Sequence, residues 1–390
     1  MNFLWKKQAL FAVITVMLGS MVSAQTQTPI TIVTTAAPFL TISPDARTGG
    51  MGDMGIAVSP DASATFWNNA KTSFSDSRGQ LGFTYTPWLA DVASDVYLLS
   101  LSGYNKVNNN SAITYGVRYF NLGQINLADV NGMPLGNSNP REFSIEAGYA
   151  IKASNKFGVG VTARYINSNL GKGNISASDP SVIYKVGSAI AFDASAYYNG
   201  LDERGQGFTA GLTLSNLGTR ISYTSDPNAK QYIPANIGIG GVYHFVLDDD
   251  NKLNIGLDLN HLMVPKVPSG LSTTGDTTID NPINNPLMAA YYNNSVVSSW
   301  GSSFGNGAYS GSLGAEYSYI DEFFVRAGYH YETSSFGDRK YFTAGVGLKY
   351  SVLQFNFAYL APTGSGINRN PLSNTLRFSL IWDMGTQRNY

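Results

Sequence analysis

Between residues 309 and 383 apolar and polar side chains alternate in five successive blocks. Phe323, Val325, Ala327, Tyr329 and Tyr331 share one parity, while Phe324, Arg326, Gly328, His330 and Glu332 share the other. Leu353, Phe355, Phe357 and Tyr359 oppose Gln354, Asn356 and Ala358, and Leu376, Phe378, Leu380 and Trp382 oppose Arg377, Ser379 and Asp383. A period of two is that of a β-strand, not a helix. One face is bulky and aromatic; the other carries charge and glycine. A soluble sandwich hides its apolar face, whereas a transmembrane barrel turns it to lipid and encloses the polar one.

The same reading along the chain gives fourteen strand candidates, near 80–88, 95–104, 111–121, 141–153, 155–168, 186–199, 206–217, 234–247, 251–262, 308–319, 322–332, 340–350, 351–361 and 373–383. Alternation is blurred in 95–104 and 186–199. Connections after even-numbered candidates are short; most of those after odd-numbered ones are long, above all 263–307. Outer-membrane barrels sort short periplasmic turns from long external loops in this way and have even strand counts. The expected fold is an all-β, 14-stranded antiparallel outer-membrane barrel over residues 80–390, with both termini periplasmic.

Composition fits that fold. Charged residues make up 13% of the chain, about half the usual ~25%, while Gly (41), Tyr (24) and Phe (20) are abundant. Mean hydropathy is near zero, as alternation requires. The chain opens as an export signal over 1–24. Lys6 and Lys7 precede a short apolar run, and Val22-Ser23-Ala24 is a small-residue cleavage site. Without cysteine there can be no disulfide or thiolate metal site. The formal charge of −1 gives no electrostatic case for nucleic acid.

The polar parity defines a candidate lumen-facing set: Arg118, Glu146, Arg164, Asp193, Asp258, Arg326, His330, Glu332, Lys349 and Arg377. A fourteen-strand barrel lies between those filled by side chains and open porins, so some plug is expected. Residues 25–79 are the candidate plug. Within them Ser43-Pro44-Asp45-Ala46 and Ser59-Pro60-Asp61-Ala62 each read as a cap, a first-turn proline and an acidic first turn. Each should start a short helix. Gly50, Gly52 and Gly55, with Met51 and Asp53 between, formally spell G-x-G-x-x-G. No βαβ unit surrounds them, so close packing of backbone is the better reading.

Catalytic and metal chemistry find little support. His244, His261 and His330 stand apart with no ligand spacing. Asp248-Asp249-Asp250 lacks the alternating ligands of a calcium loop, and no G-x-S-x-G elbow is present. No catalytic, cofactor or metal residue is expected. The loop 263–307 is the best candidate partner surface, with Met288, Tyr291, Tyr292, Trp300 and Phe304 of types enriched at interfaces. A lid over the barrel mouth is the other reading of that loop.

Residues 39–55, with Ser43-Pro44-Asp45-Ala46-Arg47 and Gly50-Met51-Gly52-Asp53-Met54-Gly55, followed by Ser59 to Lys71 with Phe66, Asn68 and Ala70, resemble the start of the PorV (LptO) family. That family is an outer-membrane component of the Bacteroidetes type IX secretion system, within a FadL-like group of fourteen-strand barrels. FadL-like chains usually read Asn-Pro-Ala where this one has Asn68-Asn69-Ala70, which loosens the link to hydrocarbon transporters. The resemblance implies a non-enzymatic role. Such a protein would bind the C-terminal signal domain of cargo leaving the translocon Sov (SprA) and deliver it to the sortase-like PorU with PorQ and PorZ, where cargo joins anionic lipopolysaccharide. The alternative is a FadL-like channel for hydrophobic small molecules.

Overall fold

The computed structural model describes residues 32–88, 95–128, 131–171, 184–224, 230–268, 290–291, 293–363 and 375–385. The expected signal segment lies outside the described residues, as do Met288 and Tyr292 of the candidate partner loop.

Fourteen antiparallel strands close into a barrel. They are β1 (Gly79–Pro87), β2 (Val96–Asn108), β3 (Ser111–Leu122), β4 (Arg141–Lys152), β5 (Phe157–Asn169), β6 (Gly187–Leu201), β7 (Gly207–Gly218), β8 (Asn236–Val246), β9 (Asn251–Leu262), β10 (Tyr309–Tyr319), β11 (Phe323–Glu332), β12 (Lys340–Tyr350), β13 (Leu353–Pro362) and β14 (Leu376–Asp383). Each pairs with its neighbours in sequence. β1 closes on β14, with Leu81 opposite Trp382 and Phe83 opposite Leu380. Every expected strand is present, within a few residues of its expected bounds.

The two parities separate cleanly. Phe83, Leu101, Ile145, Val161, Leu212, Ile239, Leu257, Leu313, Val346 and Phe355 are exposed on the outer wall. Their inward neighbours are buried and mostly polar. Only an apolar solvent accommodates such a wall. The blurred alternation in β6 has a local cause. A bulge between Phe192 and Ala194 shifts the register against β7, where Asn216 takes a left-handed φ of 56°.

Links after even strands span residues 109–110, 153–156, 202–206, 247–250, 320–322 and 351–352. Those after odd strands are longer. Two carry small ribbons, Ile125–Ala128 with Pro134–Ser138, and Ile221–Ser222 with Lys230–Gln231.

Residues 33–77 lie inside the barrel. At one mouth the Val33 N–H donates to the Ser335 carbonyl (2.9 Å) and the Ala36 N–H to that of Tyr232 (2.8 Å), both in long links. At the other the Arg78 N–H meets the Gly385 carbonyl (2.7 Å). We expected both ends of the chain at the short-turn mouth. β14 ends there and the first described residues sit at the long-loop mouth; the termini themselves lie outside the described residues.

The two capping motifs also act differently from expectation. The first helical turn is Ala46–Gly49, capped by Asp45, whose Oδ1 accepts from the Thr48 N–H at 2.8 Å. Ser43 lies two residues too early and bonds the Thr48 hydroxyl instead (3.2 Å). The second is Ala64–Trp67. Asp61 precedes it and accepts from the Ser63 N–H (3.0 Å). In both repeats the aspartate, not the serine before proline, ties down the turn. Near the long-loop mouth Phe39, Leu40 and Ile42 pack on Trp88, Leu98, Phe120, Ile166 and Ile221. Full burial of side chains such as Phe39 and Leu40 contributes about 1.5–3 kcal/mol each.

Candidate functional site

The glycine run meets the wall backbone to backbone. A Cβ on Gly52 would stand 2.7 Å from the Tyr329 amide nitrogen, and Gly52 itself has φ +70°. Only glycine fits both demands. A Cβ on Gly50 would come within 3.1 Å of Gly345, and one on Gly328 within 2.2 Å of the Gly52 nitrogen. Glycine on both surfaces lets the segment press against β11 and β12. Gly55 faces the Trp67 ring.

Charge fixes what glycine brings close. Arg47 extends from the first helical turn to Glu316 of β10 (Nε–Oε2 3.0 Å, Nη2–Oε1 2.9 Å) and to Asp61 (3.0 Å). Glu316 also accepts from Arg326 across the β10–β11 pair (2.7 Å). Burial pulls the Arg47 guanidinium down, but Glu316 and Asp61 outweigh it and hold the group above its ordinary value. Asp53 binds Arg377 of β14 and accepts from the Tyr341 hydroxyl (2.5 Å). Burial pushes its carboxyl up; Arg377 beside it prevails and holds it at about 2. Asp258 of β9 accepts from the Gly55 and Ile56 N–H groups (2.7 and 2.9 Å).

Further contacts hold the segment. Arg118 of β3 donates to the carbonyls of Phe39 and Ile42 and lies over the Phe66 ring at 4.6 Å. Asn68 donates to Ile56 and Ala196 carbonyls, and Asn69 to that of Val161 (2.8 Å). The Ala70 N–H meets Asn68 Oδ1 (3.1 Å). Lys71, 0% exposed, donates to the Gly55 carbonyl (3.1 Å) with Asp61 at 3.8 Å. Burial lowers its ammonium pKa. Desolvating such ions costs several kcal/mol each, so their gain lies in fixing one placement as much as in stability.

Other members of the polar set pair along the wall. Arg164 joins Glu146 (2.5 Å) and Asp193 (2.8 Å). Glu332 is held by Arg339 and faces His330 at 3.4 Å. Lys349 differs: it is partly exposed at the short-turn mouth, 3.8 Å from Asp383. Sequence reasoning missed Glu316 and Arg339, and read Asp61 only as a first-turn acid rather than as a partner of Arg47. Glu316 was legible, being on the polar parity of its strand. Arg339 lies in a link, where parity says nothing.

Ser312, His330 and Glu332 form a row, with Ser312 Oγ 3.0 Å from His330 Nδ1. The same hydroxyl lies 3.3 Å from the Asp53 carbonyl, and the adjoining cavity is only about 100 Å³. That space is smaller than the usual ligand pocket of about 300–1,000 Å³. Above it a vestibule of about 420 Å³ opens at the long-loop mouth, lined by Phe39, Ile42, Trp88, Phe120, Phe336 and Arg339 among others. Among the described residues no group of three or more acidic or histidine side chains is placed to hold a metal ion.

Of the candidate partner residues, Tyr291 packs edge-on against Tyr232 (5.6 Å between centroids). Trp300 and Phe304 stand on a short helix, Val296–Ser302, and the turn after it.

Comparison with solved structures finds the same barrel. The monoaromatic hydrocarbon channel CymD superposes with a TM-score of 0.54 at 13% identity, over 89% of this chain and 99% of that one. The Ralstonia pickettii toluene transporter TbuX gives 0.52 at 12%, over 89% and 100%. Identities this low establish the fold alone. A search of curated proteins finds no match. A family model described as type IX secretion system protein PorV matches residues 23–269, well over half the chain. On a closed fourteen-strand barrel with an apolar outer wall, that match places the chain in the PorV family, as an outer-membrane protein of type IX secretion.

Proposed function

We propose that the chain is a carrier rather than a pore. It holds the C-terminal signal domain of secreted cargo on its external loops as cargo leaves the translocon Sov (SprA). It then presents the cargo to the surface attachment machinery of PorU, PorQ and PorZ for joining to anionic lipopolysaccharide. The short turns face the periplasm and the long links face outward, as in other outer-membrane barrels. The observation that supports this most is the clamped interior. Arg47 on Glu316 and Asp53 on Arg377 bind the N-terminal segment to β10 and β14, so the lumen serves as scaffold. Binding must then fall on the loops, which rigid scaffolds commonly carry. Removal of residues 263–307 tests the reading: cargo should no longer co-purify with the barrel. Intact cargo binding after that deletion, with uptake of apolar small molecules lost, would overturn it.

A channel for hydrophobic small molecules is the second reading. The apolar vestibule favours it. It requires the N-terminal segment to move, against every clamp described above.

A further inference from the structure

The helix Val296–Ser302 buries a serine and turns apolar side chains outward. Its first turn is capped by Ser295, whose hydroxyl accepts from the Ser298 N–H (3.1 Å). Ser299 and Ser303 are 0% exposed and turn inward, each hydroxyl satisfied by a carbonyl three residues earlier. Val297 is 69% exposed and Phe304 57%, with Trp300 half-buried between them. Val297 and Trp300 lie three residues apart on the helix, and Phe304 follows on the turn after it. Ser298, Gly301 and Ser302 are exposed beside them.

Its place on the barrel explains the pattern. The Phe304 ring stacks on His261 (4.9 Å between centroids), and His261 stacks on Tyr309 (4.6 Å). His261 and Tyr309 are register partners on β9 and β10, with the outward parity of Leu257, Leu259 and Leu313. The Tyr309 hydroxyl donates to the Phe304 carbonyl (3.2 Å). Asn306 donates to the carbonyls of Leu262 and Val264, both at 2.7 Å, and pins the turn to the end of β9. Phe304 thus continues the lipid-facing wall upward without a break. No charged residue stands between Asp280 and Glu316, although surface loops normally carry charge. Trp and Tyr gather where bilayer meets water, and helices with one apolar face lie in that plane.

We propose that Val297, Trp300 and Phe304 lie in the outer-leaflet lipid interface, making this helix a membrane-surface anchor for the return arm of the long loop. Lipid is the occupant the geometry favours, because the apolar face is continuous with a wall that already faces lipid. The anchor holds one arm of the loop flat at the rim.

The cysteine-free chain makes the test direct. Single cysteines at Val297→Cys and Phe304→Cys, each carrying a nitroxide, are measured in phosphatidylcholine–phosphatidylglycerol vesicles. Leu313→Cys is the lipid reference and Glu203→Cys the water reference. The electrophoretic shift on heating verifies that each variant is folded. If Phe304→Cys disturbs the His261 stack, Val297→Cys still reports. The labels at 297 and 304 should show high oxygen accessibility, and several-fold lower accessibility to a water-soluble nickel complex than the label at 203. Nickel accessibility equal to that at 203 would overturn the proposal. Protection that appears only after solubilised outer-membrane proteins are added would also overturn it, assigning the face to a protein.

Discussion

The N-terminal segment and the return arm of the long loop both pack against the barrel, by opposite means. Inside, Arg47, Asp53 and Lys71 meet Glu316, Arg377 and Asp61, while glycines bring backbone against backbone. Outside, residues 293–308 carry no charged side chain of their own and hold on through stacked rings, amide side chains and the Arg220 guanidinium, which donates to the Asn294 carbonyl. In the lumen an unpaired ion has nowhere to go, so a charge network specifies a single arrangement. At the rim, a surface without charge leaves the arm free to rest in lipid. The lumen is built to stay as it is, and the rim to meet other things.

The strongest way to break this contrast is Arg47→Ala. It leaves Glu316 with one of its two arginines and Asp61 with only distant Lys71. The expected loss is about 3–5 kcal/mol, the usual cost of halving a buried ion pair. Urea unfolding of the barrel in vesicles measures it, and steady ion conductance should appear in planar bilayers. A loss under about 1 kcal/mol would show that the clamp does not secure the segment. Gly52→Ala comes next, at about 2–3 kcal/mol, since it adds left-handed strain to a backbone collision. The same Gly→Ala change at Gly305, whose added Cβ meets nothing within 4 Å, should leave unfolding nearly unchanged.

Acid probes the clamp without mutation. The Asp53 carboxyl sits at about 2 in the fold against an ordinary value of 3.8. Its contribution is therefore complete above the higher value and fades as pH falls through the lower one. The loss should reach about 2 kcal/mol. Asp53→Asn should remove that part of the acid dependence; an unchanged acid profile in Asp53→Asn would refute the assignment. Smallest is Val297→Ser. It should move stability by no more than about 0.5 kcal/mol, because the side chain is mostly exposed. Unfolding in detergent should match the parent chain.

The wall was more legible in the sequence than its contents. Period-two alternation is local, and connection lengths carry the parity of the strands, so all fourteen strands could be read. Where a bulge shifts β6 against β7, the pattern blurs for a physical reason. The interior contacts were not readable in this way. The Ala46 N–H meets the Ser379 hydroxyl across 333 residues of sequence, and no local rule connects those positions. Glycine spacing announced close approach without naming Tyr329 or Gly345 as the surface approached. The caps were misassigned because Ser-Pro mimics a helix start, whereas Asp45 and Asp61 perform the bonding. The helix at 296–302 was hidden for the opposite reason. Its seven residues are too few for periodicity to speak, and Ser299 faces where an apolar group would be sought.

The first described residues lie at the mouth opposite the one where β14 ends, and this has a consequence for assembly. The thread runs the whole length of the lumen before the first strand begins, and it touches almost every stave of the wall. Such a thread cannot be drawn into a finished barrel, since its leading end would have to pass through space that it later fills. The wall is therefore expected to close around it. Residues 32–78 supplied as a separate peptide to an already folded wall should therefore fail to enter, whereas the same peptide present during refolding should be captured.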